Sequence, residues 1–316
     1  MHLSVVVPTL NGRDRLADCL EALDDRVPEA EIVVVNGPST DGTTGMVRGR
    51  DSVDVLLEIP ERNVNVARNA GIRAASGEAV ALLDDGVRAG EGWFAAVDST
   101  LGEGADAVTG PRRRKLEAGT ATTAPESERL AGRTVTYFDG GNVAFATEAL
   151  SAIDGFDEYL QTGGARDAAQ RLAGTGHEVE WASGMVVHRN EETGGASGMR
   201  TDVPRPAADS ADLERDWGWK YRSLAYRLVK NYGVRPSVIR EVVGHALADA
   251  VDQGGHVFRG DSVLSRWLAT GRTVVSGIAR GAVDGARSRR ADRSPASNPN
   301  GLSAREDRPI DSYDRR

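Results

Sequence analysis

Cysteine occurs once in these 316 residues, at Cys19. That excludes a disulfide framework and a cysteine-based zinc site. Lysine occurs only at Lys115, Lys220 and Lys230, so nearly all positive charge is arginine. Lys+Arg number 39 against 47 Asp+Glu, a formal net charge of −8. This acidic balance argues against general nucleic-acid binding, which needs a cationic face for the phosphate backbone. Low lysine with abundant acid suits a protein kept soluble in high salt, as in a halophilic archaeon; a GC-rich genome gives the same bias. No uncharged stretch approaches the roughly 20 apolar residues that span a bilayer. No basic segment precedes the first apolar run, so a signal peptide is not expected. No Gly-x-Gly-x-x-Gly follows that run either, which speaks against a dinucleotide-dependent dehydrogenase. No internal repeat is visible.

What is present is an alternation of buried-strand and helix patterns. Leu3–Pro8, Glu31–Val35, Val53–Ile59 and Glu78–Leu83 are short apolar runs of the kind buried on both faces of a sheet. Between them lie helical spacings: Leu16, Cys19, Leu20 and Leu23 after a cap at Asn11, a short helix ending near Arg48, and Val64–Ala75 after a cap at Asn63. Strands separated by helices of this length predict an α/β fold with a mainly parallel sheet. Residues 1–190 form this unit. Residues 191–210, rich in Gly, Ser, Thr, Asp and Pro, are expected to be a mobile loop; 211–285 read as a helical extension and 286–316 as a disordered tail.

In open parallel sheets ligands bind beyond the carboxyl ends of the strands. Four features fall at such ends: Pro8-Thr9-Leu10-Asn11, Asn36 to Gly42 (with Asp41), Arg68-Asn69 and Asp84-Asp85. Together they offer backbone amides, amide side chains, a guanidinium and two carboxylates, a set suited to a nucleotide. Adjacent carboxylates at a strand end do not easily both stay charged and dry; a hard divalent cation, Mg²⁺ or Mn²⁺, would resolve the conflict. A solvated turn at Asp84-Asp85-Gly86 is the plainer alternative.

Five blocks in this order, VVVPTLNGRDRLADCLEAL, EIVVVNGPSTDGT, ARNAGIRAASGEAVALLDDG, GGNVAFATEALSAIDGFDE and a later histidine, resemble family 2 glycosyltransferases of the GT-A fold over roughly residues 1–190. Within that family the sequence resembles archaeal glycosyltransferases of surface-glycan and protein N-glycosylation pathways. The resemblance implies transfer of a hexose, with inversion, from a nucleotide-sugar to a hydroxyl of a glycan or polyprenyl-lipid-linked glycan, with Mg²⁺ or Mn²⁺ as cofactor. It implies that Pro8, Thr9 and Asn11 line base and ribose, that Asn36 stands against the base, and that Arg68 lies beside the nucleotide. It makes Asp84 and Asp85 the metal and ribose carboxylates, and His188 the completion of the metal shell. Gly140-Gly141-Asn142 becomes the wall near the donor sugar, and Asp167 the catalytic base.

Three positions depart from the family pattern. Asn36-Gly37 replaces an Asp-Asp pair, Gly86 stands where the last aspartate of Asp-x-Asp is usual, and Arg166 replaces the glutamate of a Glu-Asp pair. Each role also has a plainer reading. Asp167 suits the first turn of a helix, His188 suits a strand end, and Cys19 suits a core. Arg112-Arg113-Arg114-Lys115 is a solvated loop or a seat for a phosphate-bearing acceptor. Trp217, Trp219, Tyr221, Tyr226 and Tyr232 interleave with Lys220, Arg222, Arg227 and Lys230. That pattern fits a helix on a membrane surface, or one packed on the first unit. The expected location is cytoplasmic, with peripheral contact at the membrane face. A polyprenyl-phosphate glycosyl transferase and a non-catalytic nucleotide-binding relative are the rival readings.

Overall fold

A computed structural model describes residues 1–113, 124–189, 210–258, 264–291, 298–304 and 309–316. Arg114, Lys115 and nearly all of the expected loop 191–210 lie outside the described residues.

The chain opens with strand β1 (Leu3–Thr9), helix α1 (Arg13–Arg26), β2 (Glu31–Asn36), α2 (Thr43–Arg48), β3 (Val55–Glu58), α3 (Val64–Ala74) and β4 (Ala79–Leu83). All residues of β1, β2 and β4 are buried, as their unbroken apolar runs require. Next come β5 (Val87–Ala89), α4 (Trp93–Gly102), β6 (Ala107–Thr109), β7 (Arg112–Arg113), β8 (Ser127–Leu130), β9 (Arg133–Thr136) and β10 (Asn142–Ala146). After α5 (Thr147–Ala152), α6 (Gly164–Thr175), β11 (Val179–Trp181) and β12 (Val187–Arg189) the chain becomes helical: α7 (Ser210–Tyr232), α8 (Pro236–Phe258) and α9 (Leu264–Ala291). A last strand, β13 (Asp311–Asp314), returns to the sheet.

The main sheet has the order β11-β6-β10-β4-β1-β2-β3-β13. Its centre, β4-β1-β2-β3, is parallel, whereas β10 runs antiparallel to both β4 and β6. A small sheet, β5-β12-β7, stands beside it. The fold is therefore the expected α/β arrangement with a mainly parallel sheet, extended by antiparallel members.

Several local expectations need correction. Asn63 caps α3 as its sequence suggests, accepting from Asn65 N at 2.9 Å. Asn11 does not cap α1: the residue before the helix is Gly12, and Asn11 sits at φ +49 with its side chain turned to the next loop. The helical extension is not a separate appendage. Tyr221, Leu224, Leu228, Val229 and Tyr232 of α7 join the same buried cluster as Phe145, Phe156 and Leu172. The membrane-surface reading of α7 fails for this reason, since Tyr221, Tyr226, Tyr232 and Lys230 are all buried. Helix α9 lies close on α7 because glycine recurs every fourth residue. A Cβ at Gly277, Gly281 or Gly285 would come within 2.6, 2.1 or 2.5 Å of the α7 carbonyls of Gly218, Arg222 or Tyr226.

The expected disordered tail is also corrected. Helix α9 continues to Ala291, and Arg289 donates to the carbonyls of Lys230 and Asn231, closing the end of α7. Residues 298–304 bind the turn after α5: Ser303 donates to both carboxylate oxygens of Asp154, and Asn298 to its carbonyl. β13 pairs antiparallel with β3, and Arg316 reaches Glu31 at 2.8 Å. The polar composition that suggested disorder is used in specific hydrogen bonds to the first unit.

Candidate active site

β1, β2 and β4 are parallel and in register, with Thr9 opposite Asn36 and Val6 opposite Leu82. Their carboxyl ends therefore bring Thr9, Asn36 and the Asp84-Asp85 step to one edge. The loops leaving β1 and β2 are stitched together. Asn11 accepts from Thr40 N at 2.8 Å, and Asn36 accepts from Ser39 Oγ at 2.7 Å while donating to Thr44 Oγ1 at 2.9 Å. Asp41 accepts from Arg13 N and Thr43 N, so one carboxylate closes the first turns of both α1 and α2. These bonds hold its carboxyl below the ordinary value: burial pulls upward, but the hydrogen bonds from Thr43 and Arg13 win. Asn11, Asn36 and Asp41 thus build the loop scaffold, and Pro8 is buried within β1.

Each of the paired acids has its own guanidinium. Asp85 accepts from Thr9 Oγ1 at 2.8 Å and lies 3.3 Å from Arg15 Nη2. Burial pushes its carboxyl upward against the pull of Arg15 and Thr9, and Asp84 next door adds to the rise. Asp84 accepts from Arg112 Nη2 at 3.0 Å, and Arg112 also grips Asp139 through Nε at 2.6 Å and Nη2 at 2.9 Å. Asp139 in turn accepts from Gly141 N at 3.0 Å. Gly141 has to lack a side chain, because a Cβ there would meet the Asp84 carboxyl at 2.0 Å. Arg68 is 2% exposed, donates to Gly140 O and Asn65 Oδ1, and lies under the Phe156 ring. Three buried atoms of this cluster have no hydrogen-bond partner among the described residues: Asp85 Oδ1, Arg15 Nε and Arg68 Nε. Unpaired buried polar atoms are costly, so each of the three is open to a water or a polar ligand.

Three of the expected site residues lie in other surroundings than the resemblance implies. Among the described residues Asp167 makes no hydrogen bond or ion pair with the groups of this edge. It is fully buried, with Arg171 Nε at 2.8 Å, Lys230 Nζ at 2.9 Å and Asn231 Nδ2 at 3.0 Å. Burial alone would raise its carboxyl, but the charges of Lys230 and Arg171 hold it at about 2. A carboxylate at 0% exposure is out of reach of an acceptor hydroxyl. The α6 residue that lies against the Gly140 wall is Ala165, two positions earlier. Asn142 is also fully buried; its amide donates to Gly110 O and Met185 O and accepts from Trp93 Nε1, so it supports the wall from behind. His188 lies in register with Arg88 and Arg113, and burial together with Arg113, Arg26 and Arg88 lowers its pKa. Among the described residues no three His, Cys, Asp or Glu side chains converge in a way that would hold a metal. A cavity of about 160 Å³ near Ala75, Gly77 and Leu302 opens at the other ends of the strands and contains none of these groups.

Residues 4–155 match the model of Glycosyl transferase family 2. The chain carries a glycosyltransferase family 2 domain. Glycosyltransferase AglE of Haloferax volcanii is 26% identical over 200 residues, covering 58% of this chain and 65% of that protein. The pre-mycofactocin glycosyltransferase of Mycobacterium tuberculosis is 26% identical over 216 residues, covering 60% of this chain and 43% of that one. The chain thus spans less than two thirds of the length of these curated relatives. In fold it is similar to S. aureus TarS 1–349 in complex with UDP-GlcNAc: TM-score 0.59, 15% identity, 92% of this chain and 91% of that. It is also similar to the mannosyltransferase PcManGT of Pyrobaculum calidifontis in complex with GDP-Man and Mn²⁺: TM-score 0.54, 18% identity, 93% of this chain and 88% of that. The fold is GT-A.

The family 2 domain of this chain does not fit the divalent cation that the fold family implies. Its two strand-end carboxylates already carry guanidinium partners, the position after them is Gly86, and His188 stands among arginines. Arg15, Arg112 and Asp139 are the groups that sequence reading missed. Arg112 was visible only as part of a charge run, and its partners lie 28 and 27 residues away.

Proposed function

We propose that this chain transfers a hexose from a nucleotide-sugar to a glycan or lipid-linked glycan, with inversion, at the cytoplasmic face of a membrane. The carrying observation is the strand-end cluster with its three unpartnered buried atoms, Asp85 Oδ1, Arg15 Nε and Arg68 Nε. In this reading Pro8, Thr9, Asn11 and Asn36 shape the base and ribose seat, Asp85 Oδ1 accepts a ribose hydroxyl, and Arg68 and Arg15 face the phosphates. Gly141 gives the donor sugar close access to the wall. A guanidinium forks onto phosphate oxygens and stabilises the charge that develops on the departing diphosphate.

An acceptor hydroxyl needs a carboxylate to take its proton as it attacks. With Asp167 committed elsewhere, we assign this task to Asp139, whose side chain is 35% exposed beside the Gly140-Gly141 wall. The burial of Asp167 also favours a second reading, in which the acceptor is a polyprenyl phosphate that is already ionised and needs no base. For membrane contact we look to α8 rather than α7. Ile239, Val243, Leu247 and Val251 form an exposed apolar stripe at every fourth residue, with Arg235 and Arg240 exposed at its start. Among the described residues no helix is long and apolar enough to cross a membrane.

The test is release of nucleoside diphosphate from UDP- and GDP-sugars, with glycan and polyprenyl-phosphate acceptors supplied separately. Asp139→Asn is expected to lower transfer to a hydroxyl by ~10²–10⁴-fold and to lower transfer to a phosphate far less, by no more than its loosened hold on Arg112 costs. Nucleotide binding without turnover on any acceptor would make the chain a binding protein.

A further inference from the structure

Resting on the reading that this cluster binds a nucleotide-sugar, we propose that Arg112 is the built-in cation of the donor site, so that the diphosphate is bound without a divalent metal. Arg112 is fixed at its backbone by β7, in register with Val187 of β12. Its guanidinium bridges Asp84 Oδ2 and both oxygens of Asp139, placing a positive charge where a metal on these carboxylates would sit. Its Nη1 makes none of the hydrogen bonds found among the described residues, and the side chain keeps 27% of its surface open. One face of the fork is therefore committed to acids and the other is free for a ligand. Burial disfavours the charge, but Asp139 and Asp84 more than reverse this, and the guanidinium stays protonated.

The charge pattern agrees. Asp84, Asp85 and Asp139 are matched by Arg15 and Arg112, with Arg68 adjoining through Gly140. Arg68 makes no ion pair with a carboxylate among the described residues, and its Nε is unpartnered. Three acids and three guanidiniums leave little field for an incoming dication. A diphosphate would meet Arg112 through Nη1 and Arg68 through Nε, the nitrogens that partners among the described residues leave open. In the transfer step the bond from the acceptor oxygen to the anomeric carbon forms. The bond from that carbon to the diphosphate oxygen breaks, and its electron pair leaves with the diphosphate, where Arg112 and Arg68 receive the charge. The acceptor proton goes to Asp139, or is absent if the acceptor is a phosphate.

The experiment uses the full chain with UDP and GDP as probes, titrated calorimetrically in EDTA and in Mn²⁺. One of the two is expected to bind in EDTA with a Kd within about threefold of its value in Mn²⁺. Arg112→Ala in EDTA should weaken that binding by ~10–100-fold, the range for hydrogen bonds to a charged group. Added Mn²⁺ should recover part of the loss, because Asp84 and Asp139 are then free to hold it. Mn²⁺ alone, followed by electron paramagnetic resonance, should bind Arg112→Ala and not the parent. If Arg112→Ala does not fold, Arg112→Lys takes its place; it keeps the charge but not the fork and should still weaken binding in EDTA. Binding by the parent only in Mn²⁺ would overturn the proposal and leave the glycosyltransferase reading standing. Unchanged binding by the arginine variant in EDTA would do the same. Binding of neither nucleotide under either condition would overturn both.

Discussion

Asp167→Asn separates a catalytic carboxylate from a structural one. Asp157, Asp167, Lys230 and Arg171 are each at most 3% exposed and form a neutral buried set of two acids and two bases. The asparagine keeps the shape and leaves one buried positive charge uncompensated. Lowering a carboxyl from 3.8 to about 2 corresponds to roughly 2 kcal/mol at neutral pH. Breaking a buried pair by removing one partner costs ~3–5 kcal/mol in comparable cases. We therefore expect urea unfolding, followed by tryptophan fluorescence at pH 7, to show a loss of about 3 kcal/mol. The sign with pH follows from the depressed value. The stabilisation is complete above the unfolded carboxyl range near 4, is about half gone near pH 3, and vanishes below about 2. The gap between parent and variant should close over that window. Folded variant should still bind UDP or GDP as the parent does, and its turnover per folded molecule should be retained. Unchanged stability together with abolished turnover would refute the reasoning and restore Asp167 as the base.

Gly141→Ala places a methyl 2.0 Å from the Asp84 carboxyl; far-UV circular dichroism should be retained while nucleotide affinity falls at least ~10-fold. Gly281→Val forces α9 away from the Arg222 carbonyl at 2.1 Å, and the overpacking should cost ~1–3 kcal/mol in urea unfolding. Removal of residues 309–316 uncovers the β3 edge and the Glu31 carboxylate that Arg316 holds. Light scattering should then show increased self-association, since an unpaired strand edge is a template for another chain. Leu247→Glu with Val251→Glu on the exposed stripe of α8 should reduce flotation with anionic vesicles without altering nucleotide binding.

Local sequence carried the sheet well, because a strand buried on both faces has to be an unbroken apolar run. Ala107–Thr109 and Asn142–Ala146 are strands at those bounds. The edge where ligand groups collect was legible for the same reason: it is set by parallel order and by which residues end the runs. What was not legible depends on partners far along the chain. Asp167 reads equally as a first-turn helix residue or a catalytic base, and nothing local ties it to Arg171. Only the arrival of Lys230, 63 residues later, buries them as a cluster. The polar tail carries no periodicity, and its structure comes from single bonds such as Arg316 to Glu31 across 285 residues. The aromatic and basic pattern of α7 was equally good for a membrane or a core, and the glycine spacing of α9 decided for the core.

The central claim is that a nucleoside diphosphate seats at the carboxyl ends of β1 and β4. Hydrogen–deuterium exchange with saturating UDP or GDP tests it directly. Protection should concentrate in peptides covering Thr9 to Gly12, Asp84 to Gly86 and Asp139 to Gly141, with α8 unchanged. Protection confined to other segments, or none at saturating nucleotide, would contradict the account.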